Sequence, residues 1–112
     1  MIIAGQKRGL SVRQILIKNY IEGDTAVSYD DGKKCQKDIV ESLDKGEKVI
    51  LDFSGIDYVI TAFLNPIIGD LILERGNDVM KCIAINNANM TIIKKIKQVR
   101  DGALVKREDL DE

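Results

Sequence analysis

The run "KVILDFSGIDYVITAFLNPIIGDLIL", Lys48 to Leu73, changes its hydrophobic period once, and that change restricts what the chain can become. Lys48 to Phe53 is a continuous apolar segment of strand length, expected of a central strand covered on both faces by helices. Ser54 and Gly55 supply a turn. Beyond it Leu64, Ile67, Ile68, Leu71 and Ile72 recur at i, i+3, i+4, i+7 and i+8, the stripe of a helix laid on a sheet. Two starts fit that helix: Asn65 as cap with Pro66 in the first position, or Thr61 as cap. Either way Thr61 stands at or before the helix N-terminus, at a strand-to-helix corner.

The flanking segments read as a continuation of the same architecture. "RQILIKNYI", Arg13 to Ile21, is strand-like, Glu22 to Asp24 is a turn, and Thr25 to Tyr29 is a second short strand expected to pair with the first. Ser28 and Asp31 have capping-box spacing, Cys35, Ile39 and Leu43 recur at helical intervals, and Gly46 ends that helix after Lys45. Lys81 to Ile85 reads as a buried-type strand. A last helix follows, with Ile92, Ile93, Ile96 and Val99 on one face and Asn87 or Asn89 as its cap. Residues 101–112 carry five acids against two bases with little periodicity, the signature of a charged, mobile C-terminal tail. Strands alternating with helices imply crossover connections and a mostly parallel sheet, so the fold class is α/β, a single domain over residues 1–100.

Bulk properties exclude several functions. The length of 112 residues suits one core. Seventeen basic against eighteen acidic side chains leave almost no net field to draw nucleic acid or anionic lipid. Lys94, Lys95, Lys97 and Arg100 read as a wet face turned away from the apolar stripe of the last helix, and few aromatics accompany them to stack bases. No apolar run reaches the roughly 18 residues of a membrane span, and "MIIAGQKRGL" lacks the hydrophobic segment of a secretion signal, so a cytoplasmic location is expected. Cys35 and Cys82 sit inside apolar patterns and are expected as buried free thiols. The chain has no histidine, which removes histidine triads, relays and metal sites.

Thr61 is the residue type and position that could carry regulation. At a helix N-terminus free amides and the helix dipole favour an anion, so a phosphoryl group on Thr61 would be tolerated there; the alternative is a hydroxyl that only caps the helix. Asp52, Asp57 and Asp70 lie near in sequence, but spacing alone does not make them converge for metal or acid–base work. Asp57 reads as a turn residue and Asp70 as a solvated helix residue. Asp52 interrupts an apolar strand near its end and is expected at the rim or tied to amides of the next turn. Gly69 is expected to let its helix approach a neighbouring backbone. No phosphate-loop glycine pattern is present, and no metal or cofactor is expected.

The "DGKK" opening of the first helix, the "LDFSGI" strand and turn, the "ITAFLN" corner with "IIGDL" and the Lys-rich last helix together resemble the STAS-like family of small bacterial proteins, similar in pattern to STAS anti-anti-sigma factor domains. The resemblance covers about Ile15 to Arg100. It implies a sheet of about four strands, mostly parallel or mixed, flanked by three helices, with no catalytic turnover and a regulatory role in protein–protein interaction. In those anti-anti-sigma domains the corner carries an Asp-Ser-Ser-Gly motif phosphorylated by a histidine-kinase-like ATPase. Here Ile60, Thr61, Ala62 and Phe63 take the four places, so Thr61 alone keeps its chemistry. The resemblance thus implies Thr61 as candidate phosphoacceptor, and a partner-binding corner of Asp57, Tyr58, Thr61, Ala62, Phe63 and Asn65. A homo-oligomeric scaffold, as in a phage-response accessory protein without phosphorylation, is the alternative expectation.

Overall fold

A computed structural model of the chain describes residues 11–111. The opening segment on which the secretion-signal expectation rests lies outside the described residues. The strands are β1 (Val12–Leu16), β2 (Thr25–Ala26), β3 (Lys48–Asp52), β4 (Tyr58–Val59) and β5 (Ile83–Asn86). The helices are α1 (Tyr29–Asp44), α2 (Thr61–Leu64), α3 (Asp70–Arg75) and α4 (Met90–Asp111), with one turn of π-helix at Asn65–Gly69 joining α2 to α3. The α/β expectation holds, with a small sheet in the order β1-β3-β5 and a two-stranded ribbon of β2 and β4 in place of a single sheet of about four strands. Every pairing is parallel.

β3 is the central strand, as its apolar run predicts, but among the described residues helices cover only one of its faces. Both crossovers, β1 to β3 through α1 and β3 to β5 through α2 and α3, step in the same direction across the sheet. Connections of one hand stepping one way must lie on one side. α1 packs on α2 and the π turn, and α4 packs on the π turn and α3. Val49, Leu51, Ile15 and Ile83 point into that layer and are buried. The register places Gln14, Ile50 and Ala84 side by side on the other face, where Val12 is 49% and Leu16 41% exposed. Continuity of an apolar run reports that a strand is interior. It does not report what lies on each face.

The second strand pairs with β4 and not with the first. Arg13 to Ile21 is strand only as far as Leu16, because Ile17–Tyr20 closes into a 3-10 turn that buries Ile17 and lets the Tyr20 hydroxyl donate to Asp38 on α1. No hairpin can then fold back on β1. Cys35 is buried in α1, with burial, followed by the Asp38 charge, pushing its thiol up to about 12; Cys82 is free and half-buried. The strand expected over Lys81 to Ile85 begins at Ile83, since Asn77–Cys82 forms a 3-10 turn.

Two of the three caps read from sequence are made, at Ser28 and at Asn89, and the third, at Asn65 or Thr61, is not. Ser28 Oγ accepts from the Asp31 amide at 3.2 Å, and Asn89 Oδ1 accepts from the Ile92 amide at 2.9 Å. Gly46 takes φ +80° just past Lys45, the left-handed residue that ends α1. Leu64, Ile67, Ile68, Leu71 and Ile72 are all fully buried. Burying each side chain contributes about 1.5–3 kcal/mol before entropy.

The expected mobile tail is corrected over residues 101–111, which continue α4. Ala103 is buried and the Arg107 guanidinium donates to the Leu73 carbonyl at 2.7 Å. Residues 103 and 107 extend the Val99 face by successive steps of four, a pattern that the surrounding charges hide. Gly69 is also corrected: a Cβ there would meet the Val99 side chain at 3.3 Å, not a neighbouring backbone. The close backbone approach belongs to Gly32 on α1, where a Cβ would stand 2.6 Å from both the Phe63 carbonyl oxygen and the Pro66 ring.

Candidate functional site

The corner at Thr61 follows β4, whereas the sequence suggested the central strand. The two sides of the ribbon are stitched together there by backbone bonds: the Asp57 amide donates to Asp24 O at 2.9 Å and the Ile60 amide to Ala26 O at 3.0 Å. Ile60 is extended and its carbonyl accepts from the Phe63 and Leu64 amides, so Ile60 occupies the capping position and Thr61 the first helical one. No side chain caps this helix start. Thr61 is exposed and its hydroxyl does no capping, so the helix-cap reading of that residue is not met.

Pro66 is absorbed inside the rod. Its ring lacks an amide and would collide with the carbonyl one turn back in a regular α-helix, and widening to a π turn relieves that collision. The Asp70 amide bonds to Asn65 O, five residues back. Across the widened turn, Gln36 on α1 donates to the Pro66 carbonyl at 2.7 Å.

α4 fixes the corner from the other side. Lys95, read as part of a wet face, instead donates its ammonium to Val59 O at 2.9 Å and lies 4.1 Å from the centroid of the Tyr58 ring. The Asn89 side chain donates from Nδ2 to Asp57 O at 3.1 Å. Position gave the signal: Lys95 lies three residues after Ile92 and four before Val99, on the flank of the buried stripe. Its aliphatic stem therefore reaches the seam.

The proposed corner residues do not all share a surface. Asp57, Thr61 and Asn65 are exposed, Tyr58 is 43% exposed and Ala62 half-buried. Phe63 is the exception: it is fully buried in the core and offers nothing to a partner. A helical residue two positions past an exposed one turns roughly 200° away from it, and here that direction is inward. Thr61, Asn65 and Gly69 line one side of a shallow groove of about 380 Å³ whose other side is Gln98, Gly102 and Lys106 of α4.

Asp52 organises a separate site at the carboxyl end of β3. Its Oδ1 accepts from the Ser54 hydroxyl at 2.6 Å, the Ser54 amide at 2.9 Å and Asn87 Nδ2 at 3.0 Å, and its Oδ2 accepts from Gln14 Nε2 at 2.7 Å. These donors, the Ser54 hydroxyl first, hold the carboxyl down at about 2. A carboxylate so saturated is a poor proton donor or metal ligand at neutral pH. Asp57 and Asp70 do not join it, and among the described residues no group of three or more Cys, Asp or Glu side chains could hold a metal ion.

Because the folded carboxyl titrates below its ordinary 3.8, the Asp52 network stabilises the fold above that pH and loses its effect as pH falls toward about 2. Urea midpoints measured at neutral pH and near the lower limit should differ more for the native chain than for Asp52→Asn. Equal acid losses in the two would show that the donors do not favour the charged form.

Among the described residues no helix is long and apolar enough to cross a membrane. A family model described as a STAS-like domain of unknown function (DUF4325) matches residues 31–92, more than half of the chain, from the first turn of α1 through the corner to the start of α4. No curated protein and no solved structure matches it.

Proposed function

We propose, from the premise that the chain belongs to the STAS-like domain family, that it is a non-enzymatic regulatory module which recognises another protein through the corner after β4. Asp57, Tyr58, Thr61 and Asn65 form the contact, and Thr61 is the hydroxyl at which contact is switched. The observation that carries this reading is an exposed threonine at the first helical position whose hydroxyl is not needed as a cap. A phosphoryl group there adds about −1.5 to −2 charges to a surface that includes the aromatic ring of Tyr58, and weakens docking of an acidic or apolar partner face. A cytoplasmic histidine-kinase-like ATPase is the partner class that fits such a switch.

The test is incubation of the full chain with ATP and a histidine-kinase-like ATPase encoded beside it, followed by intact mass and partner binding. One phosphate added to the native chain and none to Thr61→Ala is the expected result. Since Thr61 caps nothing, the alanine variant should melt within about 0.5 kcal/mol of the native chain. Partner binding without phosphate transfer removes the switch. Loss of neither on Thr61→Ala or Tyr58→Ala removes the corner.

Self-assembly into a scaffold without phosphorylation is a second reading, favoured by the sheet face that carries Val12 and Leu16, which nothing among the described residues covers. Light scattering across a concentration series separates the two.

A further inference from the structure

The sheet has two edges among the described residues, and they are protected differently. At β1 the inward side chain Arg13 reaches over to α1, where it donates to Glu41 Oε1 at 3.1 Å and Ser42 Oγ at 3.2 Å. A charged, tied residue is a usual guard of an edge. β5, "IAIN", has no charge, no proline and no bulge, and among the described residues no strand pairs with its outer side.

The phase of that outer side follows from one bond. The Phe53 amide donates to Asn86 O at 2.9 Å, so Asn86 turns its polar groups toward β3. In a parallel ladder a residue's N–H and C=O share a side and successive residues alternate. Ala84 therefore also faces β3, and Ile83 and Ile85 present N–H and C=O to the vacant edge. The Ile85 side chain, on the inner face, is only half-buried.

Beside that edge lies a crevice of about 220 Å³ between β5 and α4. Met80, Ile85, Ala88, Ile93 and Ile96 make its apolar walls, and Lys97 and Arg100 stand at its rim. Arg100 pairs with its neighbour Asp101 at 2.9 Å, while Lys97 joins none of the ion pairs among the described residues.

We infer that β5 is a strand-addition site for an extended peptide of a partner protein, one carrying an aliphatic side chain and an acidic side chain two residues apart. Main-chain bonds form at Ile83 and Ile85. Alternate residues of the added strand point to one face, so the aliphatic residue enters the crevice and the acid two places away meets Lys97 and Arg100. The spacing follows from strand geometry and the acid from the charge of the rim. This surface lies on the opposite flank of α4 from the Thr61 groove, so it stands or falls independently of the corner.

The probe is a phage-displayed library of random heptapeptides selected on the immobilised full chain, with the winning peptide then titrated by fluorescence anisotropy and amide chemical shifts. Enriched sequences should share the aliphatic and acidic pair at a spacing of two, and the shifts should centre on Ile83 to Asn86. Replacing the peptide's aliphatic residue by alanine, or methylating its backbone nitrogens, should weaken binding by about tenfold or more without touching the protein's fold. Lys97→Glu should weaken it too and flatten its salt dependence. No enrichment, enrichment without that pair, or shifts away from β5 would overturn the proposal. So would self-association of the chain through this edge, or residues 1–10 of the same chain bonded to it.

Discussion

Phe63→Ala is expected to lower the unfolding free energy by about 3–5 kcal/mol, the range for emptying an aromatic site in a well-packed core. Its ring has no exposed surface and belongs to the one core cluster of the described residues, with Ile39, Phe53, Leu64 and Ile67. Two residues earlier Thr61 is exposed, so the two substitutions separate surface from core at a single corner. In a domain of this size the loss should appear as a melting temperature lowered by more than about 10 °C. A Phe63→Ala melt close to that of Thr61→Ala would return Phe63 to the surface and undo the observed phase of this helix.

Gly32→Ala is the second large effect, and its sign is the informative part. Helix propensity alone favours alanine over glycine by about 1 kcal/mol within a helix. At Gly32 the new methyl would stand 2.6 Å from the Phe63 carbonyl oxygen, a backbone atom that cannot swing aside like the end of a long side chain. α1 must then back away from α2, and a net loss of about 1–3 kcal/mol is expected. Gly102→Ala is the control: nothing lies within 4 Å of a Cβ there, so the propensity gain should survive and the variant should melt higher. Chemical denaturation of the two side by side checks the contact. Equal gains would mean that α1 and α2 are not packed at Gly32.

Local chemistry was legible in the sequence, and spatial neighbours were not. Ser28, Asn89 and Gly46 act within one turn of chain, and the structure places each where its residue type predicts. The buried stripe from Leu64 to Ile72 is equally local, since it needs only the helical period. Gly32 could have been suspected, because glycine one turn into a capped helix has a propensity cost that needs a packing reason. The pairing of β2 with β4 lacked any such signal: two residues carry no period, and their partner lies more than thirty positions away. Pro66 marked a helix start by its usual preference, and tertiary packing kept the rod continuous instead by widening one turn. At the candidate site, Thr61 could be placed at a helix start but not Phe63 in the core, because residue type does not say where the helix begins its rotation.

The four donors around Asp52 come from three different strands or their ends: Gln14 in β1, Ser54 after β3 and Asn87 after β5. One carboxylate thus clasps the whole width of the sheet at a single end, while Val12, Lys48 and Ile83 at the other have no equivalent tie among the described residues. Fraying of this sheet accordingly has a direction, with the strands parting first at their amino ends and staying gathered longest at the clasp.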